Sequence, residues 1–418
     1  MKLFNRNFVL VVIGQIISLF GNAILRFALP LYLLDETGSS VIFGSVMAFS
    51  FIPMVILSPI GGMLADRLNK RNIMVILDFG TALLTVAFLV SIQRFSPVAV
   101  AAVVMMILYG IQAVYQPSVQ ASMPFLQEQE HLMQANAIVN QISSLASLLG
   151  PIIGGVVYGL YGVTSVVITA GICFFCSAVM EIFIHIPYKK QKTAGSMWST
   201  VKADFTESLA FVKNEQPVIF KVILMVALIN LFVTSMVLVG IPVIIRVYLG
   251  MSSQALGAAQ GVQAAGGLVG GILIGVLAAK LDIRKAWKIL LIAAVTIFPM
   301  GIVLMWNPKA GISFGVITVF TGILMVCATM FSVQMMVFVQ AETPKHLVGK
   351  VISVTIAIAT CSQPVGQALY GVLFDMMERQ PGVIVFATGM IAVIICVASR
   401  KIFGEINYSA DPLEIDQA

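Results

Sequence analysis

The sequence predicts an all-α membrane protein with twelve transmembrane helices in two six-helix repeats, and three observations carry that prediction. Hydrophobic residues fill 59% of the 418 positions and charged ones only 10%, with a mean hydropathy of +1.02; soluble domains are about 25% charged. Apolar runs of about 18–28 residues recur along the whole chain, and about 20 suffice to cross a bilayer. The second half also repeats landmarks of the first at an almost constant offset. A net charge of +6 would suggest nucleic acid in a soluble protein. Here it fits the orientation of helices across a membrane, the lipid bilayer is the implied surrounding, and no nucleic-acid partner is expected.

Gly, Pro and charge clusters separate the apolar runs. The first six spans begin near Phe8, Val41, Asn72, Pro97, Asn136 and Thr164, the second six near Val218, Gln254, Trp287, Ile312, Val348 and Gly382. The opening run is about twice as long as a signal-peptide core and no cleavage pattern follows it, so it reads as a span. Because spans alternate in direction, every cation can be assigned to a side. Nineteen of the 24 Lys and Arg fall on the side of the amino terminus or at its interface. By the positive-inside rule both termini and the long central connection are expected in the cytoplasm. The expected boundaries are a bundle over 1–187, a linker over 188–217, a second bundle over 218–402 and a tail over 403–418. In the linker Trp198, Val201, Phe205, Leu209 and Val212 recur every three or four residues, as in an amphipathic helix lying on the membrane surface. The five cysteines, including the pair Cys173 and Cys176, lie in apolar runs and read as small hydrophobes; no metal or cofactor is expected.

The repeat is explicit in the residues. GMLADRLNKR, Gly62–Arg71, returns as GVLAAKLDIR, Gly275–Arg284, at an offset of 213. Leu19, Phe20, Pro30 and Gly38 match Leu231, Phe232, Pro242 and Gly250 at 212. Parallel six-span repeats are the architecture of one large class of secondary transporters, whose halves rock about a site between them. Neither a phosphate-binding loop nor an H-E-x-x-H metal helix occurs, so no enzyme is predicted.

On these features the chain resembles the major facilitator superfamily over its whole length. The family signature between spans two and three, G-x-L-x-D-R-x-G-[RK]-[RK], is met by Gly62, Leu64, Asp66, Arg67, Lys70 and Arg71. Asn69 stands where glycine is usual and is expected to take the left-handed turn. The resemblance implies that this loop latches the outward-facing state; alternatively its cations only set topology. In the fifth span Gly150, Pro151, Gly154 and Gly155, with Ala146 for the first glycine, resemble the antiporter signature G-x-x-x-G-P-x-x-G-G, which implies export. The stretches SLFGNAILRFALPLYLLDETGS and DRLNKRNIMVILD look most like the macrolide-efflux type of bacterial drug exporters. That implies a monomer in a bacterial cell membrane, exporting lipophilic small molecules by proton antiport with alternating access. A siderophore or lipid exporter shares the fold, and a non-transporting membrane sensor or assembly partner is a third reading.

The resemblance implies a cavity between spans one, two, four and five and their copies. On span one Gln15, Ser18, Asn22 and Arg26 make one polar stripe. Span four offers Tyr109, Gln112 and Gln116 beside Tyr115, and span five Asn140. The second half offers Asn230, Gln260, Gln263, Gln334, Gln363 and Gln367. Amides with few charges suit an amphipathic or weakly basic substrate, although each could equally tie helices together. Proton coupling rests on the resemblance, with Asp78 and Asp375 as the candidate acids. Asp78 is expected within reach of Arg67 or Arg71, and Glu181 is expected to snorkel to the interface. Arg26 lies inside a membrane-length run, where a charge costs about 3 kcal/mol or more. Its repeat position holds Leu238, so the fold does not require the charge. It either snorkels outward or faces the cavity, to meet Asp375 or an anionic group of the substrate.

Overall fold

The protein is seen in a computed structural model that describes residues 5–186, 205–277, 282–306, 308–344 and 347–404. Helices fill nearly all of it, as they must where lipid offers no partner for backbone polar groups. The first four are α1 (Arg6–Thr37), α2 (Ser40–Arg67), α3 (Lys70–Ser91) and α4 (Pro97–Leu126). The run Gln129–Ile182 is 54 residues long, about twice what a bilayer needs. It divides at Gly162, whose φ of 74° breaks the helix, into α5 before that residue and α6 after it. The second bundle comprises α7 (Pro217–Tyr248), α8 (Ser253–Leu277), α9 (Ala286–Trp306), α10 (Ala310–Ala341), α11 (Val348–Met376) and α12 (Pro381–Gly404). Among the described residues twelve spans result, as the apolar runs predict. The largest boundary difference is α5, which begins seven residues before Asn136 because the polar segment at Gln129 already coils.

The repeat survives in the backbone. α1 ends at Gly38 with φ 62°, and α7 is followed by Gly250 with φ 60°. Both are glycines because L side chains resist that conformation. The two helices differ between those landmarks. α1 is regular, whereas α7 widens into π turns over Asn230–Thr234, Met236–Gly240 and Ile244–Tyr248.

The face where α1 begins is called here the terminal face and the opposite one the far face. Through the far halves runs a single apolar core with contributions from both bundles, among them Leu29, Phe43, Val239 and Phe374. Toward the terminal face the core divides in two. One part is built from residues 8–186 and the other from residues 211–403. Between them an opening of about 460 Å³ separates Met54 and Ser58 of α2 from Ser353 and Ala357 of α11. Phe205 lines that opening, while Phe211 and Val212 are buried in the second bundle. The described end of the linker thus packs on the second bundle through Phe211 and Val212. Glu207 reinforces the attachment by accepting from Lys350 of α11 at 2.8 Å. Trp198 and Val201 lie outside the described residues.

Candidate functional site

The stripe on α1 turns toward α3, α4 and α6 inside the first bundle. Gln15 is fully buried, and its Nε2 donates to the Tyr115 hydroxyl at 2.7 Å. That hydroxyl donates to Oε1 of Glu181 at 2.8 Å. Ser18 donates to Oδ1 of Asp78 at 3.1 Å. Two turns farther along, Arg26 donates to Oε1 of Gln112, and its guanidinium carbon stands 4.1 Å from the centre of the Tyr109 ring. Tyr109 in turn packs on Phe51 of α2, with ring centres 4.7 Å apart. Such a cation–π contact contributes about 0.5–2 kcal/mol. Asn22 and Gln116 each keep a buried oxygen without a hydrogen-bond partner.

This arrangement corrects three expectations. Asp78 is 2% exposed and bonds to α1, not to Arg71. The Arg71 guanidinium instead donates to the main-chain oxygens of Glu181, at 3.4 Å, and of Ile182. Those carbonyls end a helix and have no partner within it. Glu181 does not snorkel; it is 1% exposed, bonded across to α4. Arg26 does not meet Asp375, which lies exposed at the far end of α11, 3.5 Å from the Ser39 hydroxyl. Among the described residues no acid lies within ion-pair distance of Arg26.

The amides of the second half fall into separate places. Asn230 Oδ1 accepts from Thr234 at 3.0 Å and from Gln363 at 3.3 Å. These residues line a cavity of about 470 Å³ between α7, α9, α10, α11 and α12, otherwise walled mainly by Val, Ile, Leu, Ala and Met. Gln334 and Gln367 are buried outside that lining, and Gln260 and Gln263 are half-buried on α8. Asn140 is exposed on the terminal half of α5. Part of the predicted set thus forms two clusters, one in each bundle, while Asn140, Gln260, Gln263, Gln334 and Gln367 join neither.

The glycine-rich segment of α5 is a packing spine. A side chain at Gly150 would run into Ala23 of α1, and a Cβ at Gly154 would lie 3.0 Å from Phe27. On the opposite side, a Cβ at Gly155 would lie 2.6 Å from the Ser253 carbonyl of α8, and Pro151 abuts Gly257. The same device joins α2 to α11, where a Cβ at Gly44 would lie 2.6 Å from the Gln367 carbonyl. Small residues are what such backbone approach requires.

In the loop between α2 and α3, Gly62 lies within α2, and the side chains of Asp66 and Arg67 lie outside those described. Lys70 stands over the ring of Phe125 at 4.7 Å. Asn69 does not take the left-handed turn expected of it. Its φ is −67°, and its side chain accepts from the Asn72 amide as the cap of α3. An asparagine is chosen for the cap, which a glycine could not supply.

One set of residues escapes sequence reasoning. Arg246 at the far end of α7 grips Asp35 of α1 with two bonds, Nε to Oδ1 at 3.0 Å and Nη2 to Oδ2 at 2.7 Å. The Tyr158 hydroxyl donates to the same carboxylate at 3.0 Å, and Arg246 also donates to the Met251 carbonyl at 2.6 Å. The signal was present: 35 and 246 differ by 211, one less than the repeat offset, so opposite charges end two repeat-related helices. The bidentate pair fastens one bundle to the other at the far face.

Comparison with known proteins agrees with this geometry. The family model described as Major Facilitator Superfamily matches residues 11–367. Macrolide efflux protein A of Streptococcus pyogenes is 25% identical over 394 residues, covering 92% of each chain. Multidrug efflux pump Tap of Mycolicibacterium fortuitum is 25% identical over 371 residues, covering 85% of this chain and 86% of its own. The crystal structure of the nucleoside transporter NupG superposes with a TM-score of 0.77 at 13% identity, covering 96% of this chain and 99% of its own. With twelve apolar helices in two repeats that part toward one face, this multi-pass membrane protein belongs to the major facilitator superfamily of secondary transporters and is not an enzyme.

Proposed function

We propose that this chain exports lipophilic small molecules of the macrolide-like kind from the cell by alternating access, in exchange for protons. The observation that carries the reading is the division of the core: both bundles share one apolar core at the far face and keep separate ones at the terminal face. With the terminal face assigned to the cytoplasm by its basic residues, this is the state that receives cargo from inside. The cavity of about 470 Å³, with Asn230, Thr234 and Gln363 among apolar walls, suits a lipophilic ligand oriented by a few hydrogen bonds. The similarity to a macrolide efflux protein and a multidrug efflux pump supports export. The test compares accumulation of a fourteen-membered macrolide in cells with and without the protein, before and after the pH gradient is collapsed. Lower accumulation that depends on the gradient is expected. Equal accumulation in both cell lines contradicts export, and gradient-independent efflux contradicts proton exchange.

One observation favours a second reading. Arg26 is half-buried in the first bundle and has no acidic partner among the described residues. A cation held by an amide and an aromatic ring can receive a carboxylate, as in a siderophore-like cargo. Export of carboxylate-bearing compounds that is lost in Arg26→Leu, with neutral macrolides unaffected, would select this reading.

A further inference from the structure

The interior of the first bundle has too many acceptors for its donors. Asp78 and Glu181, 2% and 1% exposed, sit on α3 and α6 beside Tyr115, which lines one small void with Asp78 and donates to Glu181. Each carboxyl group has one oxygen bonded, to Ser18 and Tyr115 respectively, and one buried oxygen with no partner. Fully buried Gln15 donates an amide hydrogen to Tyr115 and leaves its own Oε1 unpartnered. Leaving two carboxylates ionised in such a place is strongly unfavourable without a cation. None of the described Lys or Arg is within ion-pair distance of either acid. Titratable and charged neighbours are accounted for helix by helix. α4 contributes Tyr115, and α3 contributes Arg71, committed to the carbonyls that end α6, and Lys70, over Phe125. α1 presents only Gln15 and Ser18 to the pair, with Arg26 farther along. His185 after α6, and Glu128, Glu130 and His131 at the start of α5, lie at the terminal end.

We propose that Asp78, held by Ser18, and Glu181, held by Tyr115 and through it by Gln15, form the proton-binding site of this transporter, and that Gln112 and Arg26 relay its charge to the substrate. The assignment rests on the proton-exchange reading above. A proton taken up converts one carboxylate to a carboxylic acid, supplying the missing donor; its release to water on the terminal side restores the second negative charge. The relay is laid out in space. A void of about 20 Å³, room for about one water molecule, is lined by Asp78, Ser18, Asn22, Tyr115, Gln112 and Gln116. Gln112 on its wall holds Arg26. A negative pair therefore attracts Arg26 inward, and a neutralised pair frees it.

The test reads protons directly and needs no substrate. The full-length protein in lipid nanodiscs is titrated from acid to alkaline pH while infrared difference spectra record the carbonyl stretch of protonated carboxyl groups. A band that titrates in the native protein, shifts in Tyr115→Phe and is lost in Asp78→Asn/Glu181→Gln is expected. Tyr115→Phe keeps the ring, so it carries the test where the double variant does not fold. A band unchanged in both variants overturns the site, and so does a band displaced by sodium ions at fixed pH. A titrating site in a protein whose macrolide efflux ignores the pH gradient overturns the coupling alone, which separates failure of this assignment from failure of the proton-exchange reading.

Discussion

The two bundles descend from one repeat yet hold their polar groups in opposite ways. The first encloses Asp78 and Glu181, with Arg26 half-buried farther along, in a packed interior whose polar void is only about 20 Å³. The second encloses amides and hydroxyls in an apolar chamber of about 470 Å³. α1 and α7 show how the divergence arose. Arg26 faces Leu238 across the repeat, Ser18 faces Asn230, and Asn22 faces Thr234. The regular α1 packs its stripe against α4, while the π turns of α7 widen the backbone where Asn230 and Thr234 meet the cavity. Widened turns of this type cluster at functional sites. On the proposed function this is a division of labour, in which the first half handles charge and the second accommodates the cargo.

The largest effect is expected from stopping both halves from closing together. Gly155→Leu places a branched side chain against the Ser253 carbonyl, in a contact that admits no Cβ. Overpacking costs about 1–3 kcal/mol, which here falls on the far-closed state. Efflux should drop by roughly tenfold or more, while a cysteine introduced near Ser252 becomes open to a membrane-impermeant thiol reagent from outside.

Arg26→Leu installs the residue of the other repeat. The protein should fold normally, as judged by thermal unfolding, and lose about the 0.5–2 kcal/mol of the cation–π contact. Efflux falls severalfold or more. Native transport rates would show that the charge on α1 is idle.

The far-face pair predicts a smaller effect. The side chains of Arg246 and Asp35 are 21% and 25% exposed, so water screens them and their contribution is about 1 kcal/mol. Asp35→Asn should shift the population toward the outward-open state, seen as faster external labelling, and Asp35→Arg/Arg246→Asp should recover part of the closure. At the gentle end, Asn230→Leu removes the shared acceptor of Thr234 and Gln363 and should change the affinity for one macrolide relative to another only severalfold.

Much of this was legible in the chain. Run length set the twelve spans, the matched Gly38 and Gly250 marked corresponding helix ends, and the glycine spacing of α5 announced its close packing. The interior was harder. Spacing places Gln15, Ser18, Asn22 and Arg26 on one face of α1, but it does not say which neighbour covers that face. A cavity between the bundles and a pocket within one bundle have the same one-dimensional signature. The burial of Glu181 is hidden from the sequence for a related reason: a charge near the end of a span normally reaches water, and only the packing of α1, α3 and α4 around it closes that route. Asp35 and Arg246 are far apart in sequence, and their meeting depends on the bundles being closed at the far face.

The division of labour is tested most directly by comparing two modes of transport in proteoliposomes that contain native protein or Glu181→Gln. Macrolide counterflow needs binding and alternation without a gradient, whereas accumulation driven by an imposed pH gradient needs coupling as well. Glu181→Gln is expected to retain counterflow and to lose gradient-driven accumulation. Equal retention of both, or equal loss of both in a variant that folds, would contradict that division.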